Sequence, residues 1–122
     1  MRLEAVIVCD AADIRENVVS LLGGGFSWMT AANGQAAVTV VGVFIHEDGD
    51  PEAAAITATA NDQHGTECGS TAMLYTVHDA DSPGPRRRVF TFLLTFAVSE
   101  PGEFAVAVSV DGSSTTLPLI VR

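Results

Sequence analysis

Three histidines and one acidic run are the residues whose types first suggest chemistry. His46 and His78 each close an apolar stretch, and His64 sits in the polar segment 61–65. If the strands ending in His46 and His78 finish at one pole of a β fold, those rings and Asp79 supply the three ligands of a catalytic zinc site. Solvated histidines at strand ends are the simpler expectation, because no carboxylates are placed to orient the rings. Segment 47–52 reads Glu-Asp-Gly-Asp-Pro-Glu, with four carboxylates in six residues. Oxygen-rich loops of this kind can hold calcium, but the order is not that of an EF-hand. A solvated turn around Pro51 is expected instead. His46, Asp48, Asp50 and His78, with Trp28, define one candidate ligand site, that of a small-ligand or carbohydrate-binding domain using loops at one pole.

Nucleophiles are equally sparse. Cys68-Gly69-Ser70 lacks the Gly-x-Ser-x-Gly elbow, and no histidine neighbours it in sequence. No catalytic residue, metal ligand or cofactor site is assigned, and a non-enzymatic role is expected. Cys9 and Cys68 have no zinc-ribbon or disulfide-framework spacing, so a buried thiol at Cys9 and a partly exposed one at Cys68 are expected. Gly23-Gly24-Gly25 lacks the Gly-Lys-Ser/Thr ending of a phosphate loop. Those glycines are expected to take positive φ and let Phe26 and Trp28 turn onto the core. The alternative leaves Trp28 and Met29 exposed as an interaction patch.

Arg86, Arg87 and Arg88 are half of the six basic residues, in a chain of 122 residues with a formal charge of −9. Adjacent strand residues project to opposite faces, so at most two of the three share a side. They are expected to tie down the loop 79–85 or to meet an acidic patch such as 47–52 on a partner chain. So little basic charge argues against nucleic acid, and the lack of a polybasic segment against anionic membranes. A protein partner or a second copy is the partner expected. The apolar segment 3–9 is too short to span a bilayer and lacks a cleavage-site pattern, which points to a cytoplasmic location.

The elements that must position these residues read as strands. Phe90, Phe92, Leu94, Phe96 and Val98 recur with period two, as do Phe104, Val106, Val108 and Val110. Asp111-Gly112 then predicts a tight hairpin into 115–121, where Pro118 requires an edge strand or a bulge. Segment 37–45 is nearly continuous in apolar residues, as a central strand would be, with Gly42 a bulge or a point of close approach. Segments 54–60 and 71–77 predict a hairpin around 61–65. Segments 4–9 and 18–22 predict two more strands, with Asp10 capping a helical turn through Ile14 between them. The sum is one domain, an all-β, immunoglobulin-like antiparallel sandwich of about eight strands.

Segment 5–26, AVIVCDAADIRENVVSLLGGGF, together with the closing PGEFAVAVSVDGSSTTLPLIV, resembles a group of small uncharacterised bacterial proteins. Their shared features are a CDAA…LGGG opening and an immunoglobulin-like closing hairpin. The resemblance implies the fold and a bacterial source, and it brings no activity and no catalytic residues.

Overall fold

Alternation of period two builds the core. Along 90–96 it turns Phe90, Leu94 and Phe96 inward, and along 104–110 it does the same for Phe104, Val106, Val108 and Val110, none more than 2% exposed. The computed structural model describes residues 1–16, 18–25, 28–77 and 86–122. These residues form ten strands: β1 (Arg2–Cys9), β2 (Ala11–Arg15), β3 (Val18–Leu22), β4 (Trp28–Met29), β5 (Gln35–His46), β6 (Ala53–Asn61), β7 (Glu67–Thr76), β8 (Arg86–Ala97), β9 (Gly102–Val110) and β10 (Ser113–Val121). No helix in the described residues is long and apolar enough to cross a membrane.

Three sheets result, with orders β1-β5-β8, β4-β10-β9-β6-β7 and β2-β3. The first two share one core, into which β5 and β8 send Val38, Val40, Phe44, Phe90 and Leu94 while β6, β9 and β10 send Ile56, Val106, Val108 and Leu119. β5 is central, and its register with β8 runs unbroken through Gly42 opposite Phe90. Gly42 is therefore a point of close approach: a Cβ there would run into the Phe90 ring. Asp111 and Gly112 take φ of 48° and 85°, the positive values the β9–β10 turn needs.

The strand count exceeds the expected eight by β2 and β4. The helical turn expected from Asp10 through Ile14 is a strand. Ala12 and Ile14 pair with Leu21 and Val19, and this hairpin lies on the outer side of the three-stranded sheet around Cys9, Val41 and Val89. Tertiary packing decides here, since two apolar residues two apart are buried by a flat sheet and not by one turn of helix. The CDAA and LGGG segments meet at the hairpin's base. Asp10 N–H donates to the Leu22 carbonyl at 3.0 Å and Gly25 N–H to the Val8 carbonyl at 2.9 Å. Gly23 and Gly25 take the positive φ expected of the three glycines, and Gly24 does not.

Candidate interaction face

The inward alternation of β6, β7, β9 and β10 leaves every other residue on the outside of the five-stranded sheet. Cross-strand register arranges these outward residues in rows. One runs Ala72, Thr57, Ser109, Ser114, and the next Ser70, Thr59, Ala107, Thr116. Ala55, Asn61, Ala105 and Pro118 flank them. The centre of this face thus carries no charge, in a chain with 15 acidic residues. Acids stand at its margins, as Glu67, Glu103 and Asp111. At its centre the hydroxyls of Thr57 and Ser109 lie 2.6 Å apart and share one hydrogen bond.

Large side chains stand at the border of the face. Trp28 pairs in parallel with Ile120, so the two project to the same side; they are 52% and 44% exposed. The Arg122 guanidinium lies 4.8 Å from the centre of the Trp28 ring. Leu74, 70% exposed, marks the opposite edge beside Ala55. Trp28 is accordingly not turned onto the core as one expectation had it; Met29 takes the inward position of β4, and alternation turns Trp28 out. Met29, one residue on, packs against the core. Phe26 lies outside the described residues.

The edges of the two large sheets are blunted or occupied at several positions. Arg122 N–H donates to the Met29 carbonyl of β4, so by alternation position 118 also faces away from β9. Pro118 brings no N–H to that open edge, and the β9–β10 register passes it without a bulge. At β1, Ser113 Oγ accepts from Leu3 N–H at 3.0 Å, and the Val8 carbonyl is taken by Gly25. β7 and β8 lie against each other where a Cβ on Gly69 would meet the Phe96 Cβ at 2.6 Å.

The residues of the candidate ligand site are separated. Trp28 lies beyond the first residues of β5, in a recess of about 440 Å³ with Asp10, Met29, Thr30 and Ala37. His46 ends the same strand at the far pole. Its ring is buried, with Nε2 2.9 Å from the Pro51 carbonyl. Asp50 accepts from Glu47 N–H at 2.8 Å, and this bond together with the Met1 ammonium holds its carboxyl below the ordinary value. Both residues therefore brace the 47–52 turn, and Asp48 is exposed. His78, Asp79 and the loop 79–85 lie outside the described residues. Among the described residues no three His, Cys, Asp or Glu side chains converge as a metal site.

Arg87 forms a fork on Glu4, with Nε and Nη2 2.8 and 2.9 Å from the two carboxylate oxygens. That hydrogen-bonded fork lowers the Glu4 pKa. The link spans 83 residues of sequence, and no local pattern announces it. Arg86 is half-buried and Arg88 buried beside it, and both are engaged in polar or electrostatic contacts. Cys9 is fully buried and Cys68 half-buried, each as a free thiol. Burial raises both thiol pKa values, and Cys68 Sγ donates to the Ala60 carbonyl at 3.3 Å.

At the pole where Trp28 lies, His64 Nε2 and Gln63 Nε2 meet Glu100 Oε1 at 2.9 and 2.7 Å. A recess of about 380 Å³ opens beside them onto the outer face, lined by Asp62, Gln63, Glu103, Ala105, Thr116 and Pro118 among others. Sequence reasoning missed this grouping and the outer face; the Thr57-Ala58-Thr59 alternation was the available signal. No known protein family, curated protein or solved structure matches this chain.

Proposed function

We propose that the chain is a non-enzymatic protein-interaction domain of the immunoglobulin-like kind, and that it docks its partner on the outer face of the five-stranded sheet. The observation that carries this is the uncharged centre of that face, bordered by Trp28, Ile120 and Arg122. Trp and Arg are enriched among the residues that dominate binding energy, and charge is depleted from interface centres. Covering the Thr57–Ser109 pair costs less than covering two separate hydroxyls, because one O–H already donates to the other oxygen and only one donor is left for the partner to meet. Pro118 and the occupied groups of β1 and β4 favour the face over strand addition to the large sheets as the mode of contact. The immunoglobulin-like assignment draws support from β9 lying beside β6, a non-sequential neighbour reached by crossing between layers.

The acidic margin, Glu67, Glu103 and Asp111, with Asp62 in the adjoining recess, suits a partner with a basic rim. Comparative affinity capture from a bacterial lysate tests the proposal. Wild type is set beside Thr57→Lys/Thr116→Lys, whose outward side chains leave the core untouched. A protein retained by wild type, lost with the double variant and eluted by salt is the expected result. The same proteins retained by both would refute the docking face.

A further inference from the structure

Among the described strands, β3 presents an edge with no strand paired to it. β3 pairs only with β2. Its sequence, Val-Val-Ser-Leu-Leu, has no charge, no proline and no glycine. Neighbouring β2 carries the Asp13–Arg15 ion pair at 2.9 Å, and edge strand β10 carries Pro118. Bare edges of this composition are templates for pairing with another chain.

We propose that β3 pairs with β3 of a second copy, antiparallel and centred on Ser20, so that two hairpins join into one four-stranded sheet about a two-fold axis. Self-complementarity of the strand points to a second copy rather than another partner. Val18 and Leu22 lie two residues on either side of Ser20, on the outward face, and are 66% and 70% exposed. The antiparallel register sets each Val18 opposite the other copy's Leu22, twice over, as a cross-strand apolar pair. Val19 and Leu21 become partners in the same way on the inner side, extending the small core beneath the hairpin. In a chain of charge −9, two copies repel least along a strand with no charge. A five-residue strand is only about 17 Å long and covers less than the ~800 Å² per partner of a standard interface, so the dimer exchanges and depends on concentration. The contact uses residues other than those of the outer sheet face, and each proposal stands or falls by itself.

Cysteine scanning in a Cys68→Ser background tests both contact and register. Paired residues in antiparallel strands have Cα atoms about 4.5–5.5 Å apart, within disulfide reach, so Ser20→Cys should cross-link to its own copy under mild oxidation. Val18→Cys should not, because the register holds the two Val18 positions about 14 Å apart. Sedimentation of the unsubstituted chain between about 10 µM and about 1 mM should show its mass rising toward that of a dimer, and Val18→Lys/Leu22→Lys should weaken this about tenfold or more. A monomer throughout that range, equal cross-linking at positions 18 and 20, or a dimer indifferent to the lysines would overturn the proposal. Should the lysine variant lose its far-ultraviolet circular dichroism, the two cysteine variants still decide.

Discussion

Thr57 and Ser109 face each other across the β6–β9 ladder with their hydroxyls 2.6 Å apart, the central polar contact of the outer sheet face. Cross-strand hydroxyl pairs of this kind contribute about 0.2–1 kcal/mol. A double-mutant cycle of Thr57→Val and Ser109→Ala, measured by urea unfolding, should return a coupling in that range. A coupling near zero would mean that the hydroxyls turn to water, and that covering the face costs more than proposed.

Gly42 is held by packing rather than by its own backbone, because its φ is not in the left-handed region and the Phe90 ring occupies the space of a Cβ. Overfilling a close-packed core costs about 1–3 kcal/mol, and Gly42→Ala should lose that much stability in chemical unfolding. Combined with Phe90→Leu, the loss should be less than the sum of the two single changes, since the smaller side chain clears the site.

Gly23 combines both constraints. Its φ is +67°, and a Cβ there would meet the Asp10 carboxylate. Gly23→Ala should therefore destabilise the chain, and Asp10→Ala in the same molecule should relieve the collision. The left-handed backbone would remain and cost about 1–2 kcal/mol. Full recovery in the double variant would show that the backbone relaxes at this position.

The His64–Glu100 contact predicts a pH window. Its hydrogen bond to Glu100 raises the His64 pKa, so this contribution is whole below the ordinary imidazole value and fades as pH rises through the raised one. The same bond lowers the Glu100 pKa, so that contribution is whole above the ordinary carboxylate value and fades as pH falls through the lowered one. The pair therefore helps most between about pH 4.5 and 6.5. Melting temperatures of wild type and Glu100→Gln should differ most near the middle of that interval and converge once pH has risen past the raised imidazole value. The difference is small, because both side chains are exposed. A gap that widens toward alkaline pH would contradict the assignment.

The fold was legible wherever large apolar residues alternate. Phe90 to Phe96 and Phe104 to Val110 announce inward faces, and Asp111-Gly112 announces its own turn. β2 escaped because Ala12 and Ile14 alternate too briefly to outweigh an apparent cap at Asp10, whose side chain in fact lies against Gly23. β4 escaped because its partner, Ile120, is 92 residues distant, and parallel pairing leaves no local trace. The candidate face left only a partial trace: Thr57 and Thr59 alternate with the inward Ala54 to Ala60, but that they share rows with Ser109, Ala107 and Thr116 follows only from register. The pole-loop grouping of Trp28 with His46, Asp48 and Asp50 failed for a related reason, since strand direction, which composition does not encode, puts Trp28 at the opposite end of β5 from the other three.

The most direct measurement is a methyl spectrum of alanine-labelled protein with and without the protein captured through Thr57 and Thr116. Ala55, Ala105 and Ala107 carry their methyl groups on the proposed face, while Ala12 sits beneath the β2–β3 hairpin on the outside of the other large sheet and Ala60 in the core. Binding should shift or broaden the first three signals and leave Ala12 and Ala60 in place. Changes centred on Ala12, with Ala55, Ala105 and Ala107 unmoved, would contradict the account.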